Sequence, residues 1–116
     1  MWIMIAGPYS TGTRTETERA ANLRRLNEAA LAVFRKGHVP VIGVNAALPV
    51  IAAAGASAAA QDEIMMPMSL ALAERCDGCL RIGGASRGAD DEVARFVAVG
   101  KPVYRSVEEV PKKIRD

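Results

Sequence analysis

GGASRGADDEVARFVAVGKPV, residues 83–103, reads as the end of a strand, a glycine-bearing loop, a helix and the start of the next strand. Gly83, Gly84 and Gly88 give the loop a backbone that turns tightly and lies close to a ligand. The helix starts near Ala89, with Val93, Phe96, Val97 and Gly100 on one face at helical spacing. Gly100 ends it, and Pro102 follows two residues later. Glu92 falls in the first turn, beside the loop. A carboxylate held there by a rigid helix suits a nucleophile or a general base. Acidic residues also favour any helix N-terminus because they complement its dipole, and Asp90, Asp91 and Glu92 fit that plainer reading too.

Working outward, the chain alternates strand and helix. WIMIA (2–6) is a short unbroken apolar run, as expected of a strand covered on both faces. Gly7-Pro8-Tyr9-Ser10-Thr11-Gly12 is a loop. Thr13 stands where a Walker A loop has lysine, yet a glycine-bearing turn between strand and helix still offers N–H groups to an anion. A helix is expected over 15–36, with Thr15-x-x-Glu18 or Thr13-x-x-Glu16 as its capping box. Leu23, Leu26, Ala30, Val33 and Phe34 form its buried stripe, and Gly37 is its stop. His38–Val44 is the second strand; Pro40 suggests an edge, and Asn45 follows at the strand's end.

Residues 46–66 are alanine-rich and lack clean periodicity. They read as a short helix over 46–54 and then a mobile, lid-like loop. A helix restarts over 62–67, with Pro67 best placed in its first turn, and ends near Cys76. Its methionines suit either the core or a homodimer contact. Cys79–Ile82 is the third strand, 101–105 the fourth, and 107–114 a terminal helix capped by Ser106 and limited by Pro111.

This alternation specifies an α/β fold: one domain over 1–116, an open parallel sheet of four to five strands with helices on both faces, Rossmann-like or flavodoxin-like. The strand order 2-1-3-4 brings the loops after the first and third strands together, where such sheets bind ligands.

Composition narrows the partners. Fifteen Lys and Arg against 13 Asp and Glu leave a net +2, without the broad basic face that polymeric nucleic acid requires. No apolar run reaches the ~18 residues of a membrane span. The apolar start is too short and lacks the basic flank of a signal peptide, so the expected setting is cytoplasmic. Cys76-x-x-Cys79 sits where a helix ends and a strand begins, the reverse of a thioredoxin pair. Zinc would need two more ligands, and His38 is the only histidine. The thiols therefore read as structural, and no metal or cofactor is implied.

Ser86, Gly88 and Glu92, with Gly-Lys-Pro-Val beginning eight positions after the glutamate, resemble the nucleoside 2-deoxyribosyltransferase superfamily. The opening Ile-Ala-Gly-Pro-Tyr-Ser is similar to that family's first strand and loop. The resemblance implies N-glycosidic cleavage or transfer, by a hydrolase or a deoxyribosyltransferase, on a nucleoside or nucleoside 5′-monophosphate. Glu92 would be the nucleophile and Tyr9 would orient it or pack on the sugar. Gly7, Ser10, Gly84, Ser86 and Gly88 would hold phosphate, with Arg87 or Arg14 neutralising it, and Asn45 would face the base. A small-molecule substrate and a homo-oligomer, dimer or tetramer, are expected. Two departures stand out. Ser69 occupies the position of an assisting aspartate, so Asp62 or Glu63 would have to substitute. Asp90 replaces a glycine, and needs a partner such as Arg87. A non-catalytic nucleotide-binding or sensing module is the alternative. A flavodoxin-like electron carrier is disfavoured by the 4% aromatic content.

Overall fold

The structure, a computed structural model, describes residues 1–113. Four parallel strands, β1 (Trp2–Ala6), β2 (Val39–Val41), β3 (Gly78–Arg81) and β4 (Val103–Tyr104), form one sheet in the order β2-β1-β3-β4. The four α-helices are α1 (Glu16–Arg35), α2 (Gly43–Ala53), α3 (Ala58–Arg75) and α4 (Arg87–Ala98), and a 3-10 turn spans Val107–Glu109. The expected α/β class and strand order are both present. Ile3 pairs with Gly78 and Ala6 with Arg81, so the carboxyl ends of β1 and β3 are level.

Alternation along β1 explains the two layers. Ile3 and Ile5 face α1, packing with Leu26, Ala29 and Val33. Met4 and Ala6 face the other way, against Ala73 and Cys76 of the α3 end and Ala89, Val93 and Phe96 of α4. The crossover after β1 therefore runs on one face and the crossover after β3 on the other, which opens a crevice between their starting points. Thr15 caps α1 by accepting from the Glu18 N–H at 3.1 Å, while the Glu18 carboxylate accepts from the Arg14 N–H. Thr13 is instead bound into the preceding turn, its hydroxyl donating to the Ser10 carbonyl.

Several expectations need correction. β2 ends at Val41, and α2 begins directly at Gly43. A side chain at Gly43 would collide with Ser69, so this glycine lets α2 start flush against α3. Asn45 consequently lies in the first turn of α2, exposed, with its amide donating to Asn27 Oδ1 at 2.7 Å. The lid-like loop is absent. Ser57 caps α3 by accepting from the Ala60 N–H, and the alanines that follow are strong helix formers. Pro67 lies in the middle of α3, not its first turn. It is exposed, as is Glu63, whose carbonyl the missing N–H would have bonded, so water can satisfy that carbonyl.

Phe34 and Val97, expected in buried stripes, are 62% and 64% exposed; their neighbours Val33 and Phe96 take the core positions. One residue around a helix is about 100°, enough to move a side chain off the core face. β4 has only two residues. The expected terminal helix is limited to the 3-10 turn: Ser106 makes no side-chain cap bond, and Pro111 follows closely. The end of that expected helix, residue 114, lies outside the described residues.

Among the described residues no helix is long and apolar enough to cross a membrane. No cluster of three His, Cys, Asp or Glu could hold a metal ion among them either. Cys76 and Cys79 are buried free thiols, and burial pushes Cys79 up to about 12, as inert structural cysteines require. His38 is buried with Nε2 2.5 Å from the Pro111 carbonyl, a structural role.

Candidate active site

The loops after β1 and β3 touch. The Ile82 N–H donates to the Ala6 carbonyl at 2.9 Å, continuing the sheet to the point where the two chains diverge. A methyl group on Gly7 would sit 2.9 Å from the Ile82 carbonyl oxygen, and one on Gly83 would sit 2.8 Å from Pro8 Cδ. Gly83 also has φ +76°, a conformation that strongly favours glycine. Both glycines are therefore set by the meeting of the loops.

A cleft of about 290 Å³ opens beside this junction. Tyr9, Ser10 and Thr11 form one wall, Ser86, Gly88, Ala89 and Glu92 another, and Gln61, Asp62, Met65, Met66 and Ser69 of α3 close it. The loop after β1 is held by Asn22 of α1, whose amide donates to the Tyr9 carbonyl at 2.7 Å. Ser86 caps α4 by accepting from the Ala89 N–H at 3.2 Å, with its backbone in the extended region. That cap starts the helix at Arg87, two residues before the expected Ala89, so Glu92 lies in the second turn and not the first, where Asp90 stands instead.

Glu92 is 8% exposed. No hydrogen bond or ion pair between described residues ends on its carboxylate. Burial pushes its pKa from 4.5 up to about 7, against the pull of the Arg81 guanidinium, with Asp91 adding a smaller push upward. A carboxyl group on a largely buried side chain, without a protein partner and open only to a cleft, costs stability. Such costs concentrate where chemistry needs them.

Arg81 was not anticipated. It is buried at the end of β3 and donates to the Ile82 carbonyl, to the Gly84 carbonyl at 2.9 Å and to Asp90 at 3.3 Å. One side chain thus ties the loop ahead of α4 to the sheet and answers the charge of Asp90. The expected pairing of Asp90 with Arg87 is replaced by this one. The signal was present in the sequence: an arginine inside the apolar strand CLRI must find partners when the strand is buried.

The predicted residues divide cleanly. Glu92, Tyr9, Gly7, Ser10, Ser86 and Gly88 all line the cleft. Gly84 lies in a separate depression on the α1 side, with Pro8, Asn22 and Arg25. Arg87 is exposed and does not line the cleft, and neither does Arg14. Asn45 is absent from it as well; its neighbour Val44 lines it, with α2 beginning at Gly43, three residues before the expected start. Of the two substitute acids, Asp62 lines the cleft and Glu63 does not.

Comparison of the chain with family models, with curated proteins and with solved structures finds no match.

Proposed function

We propose that this protein breaks the N-glycosidic bond of a nucleoside or nucleoside 5′-monophosphate, with Glu92 as the nucleophile. The observation that carries the reading is the largely buried Glu92 side chain, whose carboxylate has no partner among the described residues and opens onto a cleft shared with the loop after β1. Cleaving such a bond builds positive charge on the sugar. A carboxylate beneath the anomeric carbon stabilises that charge or bonds to the carbon, and water or a second base then takes the sugar. The desolvated setting of Glu92 strengthens its attraction for a developing cation. The resemblance of Ser86, Gly88 and Glu92 to the nucleoside 2-deoxyribosyltransferase superfamily supports the same assignment.

Ser69 favours a second reading. It is 3% exposed and lines the cleft where an assisting aspartate would stand, so the site could bind without turnover. The experiment separating the two is incubation with a panel of nucleosides and their monophosphates, following released base. The cleavage reading expects release that Glu92→Gln lowers by at least about a thousandfold while binding is retained, since the substitution removes the nucleophile and leaves no cavity. Binding with no base released from any panel member would select the non-catalytic module.

A further inference from the structure

We propose that the cleft selects N-glycosides whose base is already cationic at the glycosidic nitrogen and which carry no phosphate. This rests on the Glu92 reading above and narrows its substrate. Among the described residues the cleft is lined by two carboxyl groups, Glu92 and Asp62, and by no lysine, arginine or histidine. The cation nearest in effect to Glu92 is Arg81, and its donors are already committed to Ile82, Gly84 and Asp90. Glu92 itself is more than nine-tenths buried and unpartnered. A phosphate dianion brought beside it would meet repulsion with no side-chain cation in the lining to offset it. At the start of α4 the Ala89 N–H is already taken by Ser86, which leaves the N–H groups of Arg87 and Gly88 as uncharged donors, and Asp91, outside any ion pair among the described residues, follows them. A cationic heterocycle meets the opposite situation. Its charge answers Glu92 and Asp62, and its flat face can rest on Tyr9, Met65 and Met66.

The leaving group leads to the same class. A neutral base departs as an anion unless an acid protonates it. Ser69 cannot supply that proton, and Asp62, the other oxygen acid of the lining, is solvent-exposed and so not held in place by burial. A base that starts cationic needs no acid. A Glu92 oxygen bonds to the anomeric carbon as the C–N bond breaks. The bonding pair passes to the ring nitrogen, and the base leaves neutral. Water then attacks the anomeric carbon of the glycosyl ester, the C–O bond to Glu92 breaks, and the carboxylate is restored with one proton released to solvent.

The test is kcat/KM for nicotinamide riboside and 7-methylguanosine against guanosine and 2′-deoxyguanosine, with nicotinamide mononucleotide as the phosphorylated arm, each corrected for spontaneous loss of base. The expected result is at least a hundredfold preference for the cationic nucleosides and at least a tenfold loss when the 5′-phosphate is added. Asp62→Asn should lower kcat/KM for nicotinamide riboside several-fold, a loss that shrinks in 1 M salt, as an electrostatic role requires. A Glu92-dependent cleavage of guanosine or 2′-deoxyguanosine without that preference would overturn this inference and leave the cleavage reading standing. Faster cleavage of the phosphorylated arm would also overturn it. Loss of base from none of the probes would overturn both.

Discussion

At the scale of single residues, Glu92 has two measurable consequences. A carboxyl group whose pKa is about 7 in the folded protein and 4.5 in the unfolded chain binds more protons when folded. Its contribution to stability is fully present below pH 4.5 and is lost as pH rises to about 7. Complete ionisation then costs on the order of 3 kcal/mol. Glu92→Gln should therefore melt higher than the parent protein at pH 8, by roughly 5–10 °C, with little difference at pH 4.5. Equal melting curves at both pH values would show that the carboxylate is not desolvated. Under the proposed cleavage, catalysis follows the opposite slope, because the ionised form would be the nucleophile: kcat/KM should rise tenfold per pH unit below 7 and level off above it. A pH-independent rate between 5 and 8 would remove Glu92 from the chemistry. The residue itself was legible from its place near the start of a helix after a glycine loop, although the helix starts two residues earlier than expected and puts Glu92 in its second turn. Its isolation was not legible, because that depends on Arg81 being spent on carbonyls and Asp90, a set of contacts made only in the folded chain.

At the scale of elements, the two loops that meet above β1 and β3 are held by contact as well as by conformation. Gly7→Ala places a methyl against the Ile82 carbonyl and Leu26, and Gly83→Ala combines positive φ with a clash against Pro8. Each should cost about 2–3 kcal/mol in denaturant unfolding. Gly12→Ala should cost only about 1 kcal/mol: its φ is +75° but the space around it is open. Equal losses at all three positions would mean that the loops do not touch. The Ser86 cap gives an independent check. Ser86→Ala should lose about 1 kcal/mol, whereas Ser86→Asp should retain the cap and most of the stability.

Elements with strong local signals were readable in advance. α1 has its capping box and its glycine stop, and β1 its apolar run. From His38 to Met66 a strand and a short helix were readable but their bounds, and the helix that replaces the expected loop, were not, because the local preferences there are weak. Val44 and Ile42 suit a strand as well as a helix, and what decides for helix is the packing of Ala47 and Ile51 against Ala60. The closeness of Gly43 to Ser69 is likewise a tertiary fact with no local trace.

At the scale of the whole molecule, the reversal of strand order between β1 and β3 places both loops and the start of α4 at one crevice, while α3 closes it from the side. The central pair β1 and β3 is covered by both helical layers; β2 and β4 are short edges. Native-state hydrogen exchange should find the slowest amides in Ile3–Ala6 and Cys79–Arg81, and faster exchange in Tyr104. Equal protection across all four strands would contradict this layering. The order of strands was legible because crossover handedness and the position of the glycine loops leave few arrangements open. The cleft's missing cations were not, since Arg14 and Arg87 lie close in sequence to residues that line it.

The most direct test of the central claim is to trap the glycosyl group. A nucleoside carrying fluorine at the sugar 2-position and a good leaving base slows release of the sugar, so a covalent intermediate accumulates. Mass spectrometry of the protein after such a reaction, followed by peptide mapping, should find one glycosyl group per chain, attached to Glu92. Attachment to another residue, or base release with no covalent sugar on the protein at any time, would contradict the assignment of Glu92 as nucleophile.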